Sequence, residues 1–219
     1  MELLAQELTH EVLPGVLEKE WAEIEKKLES AKTFAKSVHI DILDGKFAEN
    51  STFIDPKPFA KYAKDLFLEV HMMVDNPISY LKPFADAGFQ RFIGHVEKMP
   101  DISEFVALAQ TYGEVGLGID GPTDLKVLDT VNFDDIDSVT VMMIKAGFSG
   151  QQFVEEYLGK VKKLREKTAV PIEVDGGVKD TNILFAKNAG ANRFVATSFI
   201  WNSEYPQEAF EKIQKTVRS

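Results

Sequence analysis

The chain has 219 residues, 44% of them hydrophobic and 16 of them phenylalanine, which fits one domain (1–219) with a large core. Its net charge of −10 is spread along the chain, and its basic residues sit among acids, as in EKEWAEIEKK and KVKKLREK, so no clustered basic surface for a nucleic-acid partner is expected. There is no cysteine, hence no disulfide, thiolate metal site or cysteine nucleophile, and no apolar stretch approaches the length of a membrane span.

The first ten residues, MELLAQELTH, lack the basic start and long apolar run of a signal peptide, so a cytoplasmic protein is expected. From there two textures alternate. Short β-rich apolar runs predict strands at HEVLPGV (10–16), SVHIDIL (37–43), LFLEVHMMV (66–74), QRFIGHV (90–96), EVGLGI (114–119), SVTVMMI (138–144), VPIEVD (170–175) and NRFVATSF (192–199). Amphipathic patterns between them predict helices over 19–36, 77–88, 102–113, 153–168 and 181–190, with Gly88, Gly113 and Gly190 read as helix-ending glycines. Eight strands, each followed by a helical or loop-helix segment, predict an α/β fold with a parallel sheet. In a chain this short they favour a closed (β/α)8 barrel over an open doubly wound sheet. No Gly-x-Gly-x-x-Gly follows the first strand, which removes support for a dinucleotide-binding fold.

Such a barrel carries its chemistry at the C-terminal ends of its strands. His39 and Asp41 are two apart in the second run, and a period of two puts both on one face. His71 lies in the third run with Met73 on the same face, and Asp175 ends the seventh run before Gly176 and Gly177. Buried polar groups on an inward face need partners or a metal. Two imidazoles and two carboxylates from three strand ends suit one divalent ion, Zn2+ first, with Fe2+, Mn2+ or Co2+ as alternatives. Taken singly, each histidine is as well explained as a packed core or rim residue, and Asp44 and Gly45 read as turn formers.

Taken in order, HIDILDGKF, EVHMMVDNP, HVE, VTVMMIKAGFSGQQF and IEVDGGV together resemble the ribulose-phosphate 3-epimerase family, over about residues 12 to 201. The resemblance implies a (β/α)8 TIM barrel of the ribulose-phosphate-binding type that interconverts ketose phosphates epimeric at C3, first among them D-ribulose 5-phosphate and D-xylulose 5-phosphate. It implies that His39, Asp41, His71 and Asp175 bind one divalent metal ion and that Asp41 and Asp175 are the catalytic acid/base pair. Removing the proton α to a ketone gives an ene-diolate, whose charge a Lewis acid stabilises, and epimerisation needs one proton-transfer group on each face. Met73 and Met142 match two of the three sulfur side chains that cap this intermediate in the family, and Leu43 stands at the third. By the same resemblance Gly147, Phe148, Ser149, Gly150, Gly176, Gly177, Thr197 and Ser198 bind substrate, chiefly its phosphate. A homo-oligomer acting on a small sugar phosphate is implied.

The departures from the family pattern cluster at the substrate rim. Pro-Ser-Ile of the first strand reads Pro14-Gly15-Val16, without the serine that touches substrate. Val-Pro-Asn reads Ala48-Glu49-Asn50, and Asn-Pro after the fifth strand reads Asp120-Gly121. Glu49 and Asp120 repel a dianion only if they face the pocket. NPGFGGQ reads KAGFSGQ (145–151), with Lys145 expected to offset a phosphate's charge. Ser-Gly-Ser after the eighth strand reads Ala196-Thr197-Ser198, where a lost glycine hinders close backbone approach and two hydroxyls are the replacement donors. His95 is read as a supporting or rim residue, and His10 as a surface residue. Three functions follow: a ribulose-phosphate 3-epimerase; a 3-epimerase of a hexulose 6-phosphate (allulose 6-phosphate type) or of an unphosphorylated ketose; or a non-catalytic barrel that keeps its metal site. Retention of both aspartates favours the first two, since a structural metal needs ligands but no two-face acid/base pair.

Overall fold

A computed structural model describes residues 9–218, so most of the N-terminal stretch, residues 1–8, lies outside the described residues. The eight apolar runs are the strands β1 (Glu11–Val16), β2 (Ser37–Leu43), β3 (Phe67–Met73), β4 (Arg91–His95), β5 (Glu114–Ile119), β6 (Ser138–Met142), β7 (Ile172–Asp175) and β8 (Arg193–Ala196). They pair in chain order, all parallel, and β8 closes on β1. Nearly every strand position is buried because helices cover the outside while side chains fill the inside.

The helices are α1 (Trp21–Ala31), α2 (Ile78–Asp86), α3 (Ile102–Ala109), α4 (Leu158–Lys167), α5 (Ile183–Ala189), α6 (Ser198–Trp201) and α7 (Pro206–Arg218). Five of them match the sequence reading but are shorter. The chain after β2 and β5 makes only 3-10 turns, at Lys57–Lys61, Leu125–Leu128 and Phe133–Asp135. The helix α7 is a further element, and it packs Phe210, Ile213 and Val217 into the shell between strands and helices.

Three local expectations are corrected. Strand β8 ends at Ala196, not Phe199, because the carbonyl of Thr197 turns to accept the amides of Ile200 and Trp201 and starts α6. Strand β6 ends at Met142, not Ile144, as Met143 bonds to the carbonyl of Asp175 and the chain bends across the barrel mouth. Gly113 does not cap α3. That helix ends at Ala109, and Gly113 is small because a Cβ there would stand 2.4 Å from the carbonyl oxygen of Gln90. Gly88 and Gly190 do lie just past helix ends with positive φ.

The barrel floor is ionic. Glu69 of β3 accepts hydrogen bonds on Oε2 from Arg91 Nη1 and Arg193 Nη2, each at 2.6 Å. Glu173 of β7 accepts from Arg193 Nε at 3.1 Å and from Thr140 Oγ1 at 3.0 Å, and Arg91 also holds Glu114. Both Glu69 and Glu173 are fully buried. Burial pushes Glu69 toward its neutral form, but Arg193, the hydrogen bond of His39 and Arg91 outweigh it and hold the carboxylate well below its usual range. Burial and the charge of Glu69 instead raise Glu173. Removing one partner of such a network strands the others. Arg193→Met, close in volume, is therefore expected to cost about 3–5 kcal/mol of stability, read from urea denaturation. A loss under about 1 kcal/mol would show that the floor tolerates unpaired glutamates.

Candidate active site

Register and parity assemble the site. Strand pairing sets Gly15 beside His39, Asp41 beside His71 and Met142 beside Asp175. Alternation along each strand turns these side chains into the barrel. His39, Asp41, His71 and Asp175 are all buried, and one ligand atom from each lies within 4.8 Å of the others. His71 Nδ1 is 2.8 Å from Asp41 Oδ1 and 3.7 Å from Asp175 Oδ2, while His39 Nε2 is 3.3 Å from Asp41 Oδ1 and 3.9 Å from Asp175 Oδ2.

The surrounding residues fix which nitrogen each histidine presents. His39 Nδ1 meets Glu69 Oε1 at 2.6 Å. A carboxylate only accepts, so Nδ1 carries the hydrogen and Nε2 points at the two aspartates. That Nε2 is buried and has no hydrogen-bond partner. On the other side, His71 Nε2 lies 2.8 Å from His95 Nε2, and His95 Nδ1 lies 2.9 Å from Glu97 Oε2. With His95 donating to Glu97, His71 donates from Nε2 and turns the lone pair of Nδ1 to the centre. His95 is thus a buried supporting residue, as read from the sequence, and not a ligand. Burial lowers it toward the neutral imidazole, and its own effect on Glu97 outweighs burial there to hold that carboxylate at about 2.

The four groups fit a divalent cation. Burial pushes Asp41 up, but the neighbouring His39 and His71 outweigh it and bring it down to about 2. Burial first and the charge of Asp41 second push Asp175 up to about 7. Burial lowers His39, yet Asp41 and Glu69 more than reverse this and raise it well above the usual histidine value. The field that draws protons onto His39 and Asp175 is the field that holds a metal ion, and imidazole nitrogen with carboxylate oxygen is a donor set for Zn2+, Fe2+, Mn2+ or Co2+. A second group, His39 with Glu69 and Glu173, does not fit one, because Arg91 and Arg193 already neutralise the glutamates.

Above the centre is a cleft. Asp41, Asp175, Met73, Met142, Gly147, Phe148, Ser149, Gly150, Gly176, Gly177, Thr197 and Ser198 line it. The sequence reading missed Leu17, Ile144, Val178 and Val195 on its walls. Leu43 packs with Met73, Met142 and Ile144 beneath it. The loop 147–150 is held by Asn50 Nδ2, which donates to the carbonyl of Gly147 at 2.7 Å, and by Gln151 Nε2, which donates to the carbonyls of Lys145 and Phe148, each at 2.8 Å. Gly177 lets the segment that follows this loop, residues 151–153, close on the turn after β7. It has φ 68, and a Cβ there would stand 2.6 Å from the amide nitrogen of Phe153.

Other residues lie elsewhere. Lys145, expected near phosphate, lines a neighbouring outer cleft with Glu49, Glu97 and Asp120. Glu49 and Asp120 therefore do not line the central cleft, and Asp120 Oδ1 instead accepts from the amides of Gly121 and Ala146. Asp44 and Gly45 form a turn: Asp44 accepts from the amides of Lys46, Phe47 and Asp75, and Gly45 has φ 79. His10, expected at the surface, is half-buried against the ring of Phe194.

A closed parallel barrel with an inward group of two histidines and two aspartates, and glycine-rich loops at the same end, defines a (β/α)8-barrel enzyme. A family model described as the ribulose-phosphate 3 epimerase family matches residues 11–201. The ribulose-phosphate 3-epimerase of Bacillus subtilis (strain 168) is 32% identical over 213 residues, 93% of this chain and 97% of that protein. The cytoplasmic isoform of Oryza sativa subsp. japonica is 33% identical over 214 residues, 94% of this chain and 93% of that protein. The chain belongs to the ribulose-phosphate 3-epimerase family and is an epimerase acting on carbohydrates. The fold is shared more widely. KGPDC from Streptococcus mutans superposes with a TM-score of 0.74 at 12% identity, covering 97% of this chain and 98% of that one. A 3-hexulose-6-phosphate synthase from Salmonella typhimurium gives 0.71 at 12% identity, over 94% and 98%. Among the described residues no helix is long and apolar enough to cross a membrane.

Two measurements test the centre. Glu69→Gln, which loosens the orientation of His39, is expected to weaken divalent-metal binding about 10–100-fold in competition with a chelator. An unchanged affinity would mean that Glu69 serves only the floor. Since Asp41 and Glu69 draw a proton onto His39 and a metal must take its Nε2 lone pair, metal uptake near neutral pH releases that proton. Affinity then falls as pH drops. Calorimetry in buffers of different ionisation enthalpy reads the proton count, and an affinity flat from about pH 8 to 6 would contradict the assignment.

Proposed function

We propose that the chain catalyses the metal-dependent epimerisation of a ketose phosphate at C3, converting D-ribulose 5-phosphate to D-xylulose 5-phosphate. The observation that carries this reading is the placement of two aspartates, Asp41 and Asp175, beside two buried histidines and on the wall of one cleft. A two-face proton exchange requires one of them as base and the other as acid.

His39 Nε2, His71 Nδ1, Asp41 and Asp175 would hold a divalent ion, which when bound would supply Lewis-acid stabilisation of the charge that develops on the substrate's oxygens. The carboxylate of Asp41 takes the C3 proton from one face. The carboxylic acid of Asp175 gives its proton to C3 on the opposite face, so the pair exchanges its protonation in each turnover and the reverse reaction uses the opposite roles. Met73 and Met142, backed by Leu43, pack against the planar ene-diolate and offer it no competing acidic proton. Amides of Gly147, Phe148, Ser149, Gly150, Gly176 and Gly177, with Ser198, cradle the phosphate. The proposal is of a cytoplasmic homo-oligomer with a small sugar phosphate as its partner and no nucleic acid.

Purified, metal-replete protein is expected to epimerise D-ribulose 5-phosphate and to incorporate solvent deuterium at C3. Asp175→Asn should retain the fold and lose about 10²–10⁴-fold in turnover. Absence of both turnover and exchange in a metal-loaded wild type would sink the assignment of this substrate, and a panel of hexulose phosphates and free ketoses would then identify another epimerase.

A further inference from the structure

Four hydrogen bonds run end to end from His71 of the metal-binding group to the loop that lines the cleft. His71 Nε2 lies 2.8 Å from His95 Nε2, and His95 Nδ1 lies 2.9 Å from Glu97 Oε2. The other oxygen, Glu97 Oε1, accepts from the amide of Asp120 at 2.7 Å. Asp120 Oδ1 in turn accepts from the amide of Ala146 at 2.7 Å, and Ala146 opens the loop 147–150. The line starts on β3, passes the ends of β4 and β5, and stops at the loop after β6.

Its members are held in place. The rings of His71 and His95 stack with centroids 4.8 Å apart, and a Cβ on Gly118 would stand 3.0 Å from His95 Cδ2 and 3.4 Å from His71 Nε2, so the two rings use the room that this glycine leaves. The ring of Phe47 packs on His95, with centroids also 4.8 Å apart. At the far end a Cβ on Gly121 would stand 2.5 Å from the carbonyl oxygen of Ile144, so the chain after β5 runs against the chain after β6. Lys160 of α4 donates to the carbonyls of Asp120, Gly121 and Thr123 and fixes the β5 side of that contact.

The chemistry of Glu97 makes the line more than a series of contacts. A carboxylate accepts on both oxygens. Oε2 takes the hydrogen of His95 Nδ1, which leaves His95 Nε2 to accept from His71 and the Nδ1 lone pair of His71 to face the centre. Oε1 takes the Asp120 amide. A side chain with one accepting oxygen cannot hold both ends in this way. We propose that Glu97 and Asp120 are positioning residues that join the two halves of the site: Glu97 orients His71 through His95, and the same carboxylate, through Asp120, fixes the start of the loop 147–150. This link rests on the proposed function for what its ends bind, a divalent ion and a phosphate, and on the hydrogen bonds themselves for everything else.

The test reads binding at both ends. Competition with a chelator gives metal affinity, and calorimetry on metal-saturated protein gives the affinity for D-ribulose 5-phosphate and for inorganic phosphate. Glu97→Ala removes both acceptors and should weaken metal binding about 10-fold and both phosphate ligands roughly 3- to 10-fold. Asp120→Ala should weaken the phosphate ligands to a similar degree and leave metal affinity within about twofold. The double variant should lose no more phosphate affinity than Asp120→Ala alone, since both changes cut one line. Asp120→Asn, which keeps an accepting oxygen, should stay near the wild type at both ends. Glu97→Gln, of nearly equal shape, should show one of two losses: nitrogen NMR finds the hydrogen of His71 moved from Nε2 to Nδ1 with weakened metal binding, or phosphate binding weakens as in Asp120→Ala. Wild-type affinities at both ends in Glu97→Gln, unchanged phosphate affinity in Asp120→Ala, or additive losses in the double variant would overturn the proposal. Binding without turnover by the wild type would defeat the epimerase reading while the affinity ratios still decide the link. No phosphate binding by the wild type would overturn both.

Discussion

The carboxylate of Glu69 is the joint on which the inside of this barrel depends. One oxygen is shared between Arg91 and Arg193, and the other meets His39 Nδ1 at 2.6 Å. Were it unpaired, a fully buried carboxylate would give up its charge, since desolvation disfavours the ionised form. Paired with two guanidinium groups it stays ionised, and an ionised Glu69 can accept only a hydrogen from His39. That in turn leaves His39 Nε2 aimed at Asp41 and Asp175 with no partner in the chain. The floor network and the centre above it are therefore one electrostatic unit, in which the arginines set the tautomer of a histidine they do not touch.

The difference between the two aspartates follows from the same geometry. Asp41 lies 2.8 Å from His71 Nδ1 and 3.3 Å from His39 Nε2, whereas Asp175 lies 3.7 and 3.9 Å from the same atoms. Electrostatic attraction weakens over that extra distance. Asp175 therefore feels burial and the negative charge of Asp41 more than the histidines, and it keeps a proton. Two chemically identical side chains acquire opposite protonation because β2 and β3 pair Asp41 directly with His71, while Asp175 reaches the group from β7.

Much of this was legible in the sequence because a strand has a period of two. Parity alone placed His39 with Asp41 and His71 with Met73, and the rule that barrel chemistry sits at strand C-termini placed Asp175 with them. The same parity could have found Glu69, two before His71, and Glu173, two before Asp175. What it could not supply was their partners. Arg193 reaches Glu69 from 124 positions away, a pairing made only when β8 closes on β1. Lys145 was placed by the family pattern of the loop after β6 and not by parity, and in this fold it lines the neighbouring cleft with Glu49, Glu97 and Asp120.

The division of labour at the cleft explains where the sequence is free to vary. Gly177 meets the backbone of residues 151–153, and what the loops 147–150 and 176–177 offer a ligand is largely main-chain amide. A serine at position 149 keeps its amide, so this change leaves the cradle's chemistry in place. The wall formed by β1 and β8 is different, since it is made of side chains that compete for one volume. A larger residue at one position there requires a smaller one at its neighbour. Positions that act through the backbone can drift singly, whereas positions that act through packed side chains drift in pairs. In this chain the glycine at 15 and the threonine at 197 are such a pair, since a Cβ at 15 would stand 2.1 Å from the threonine's hydroxyl oxygen.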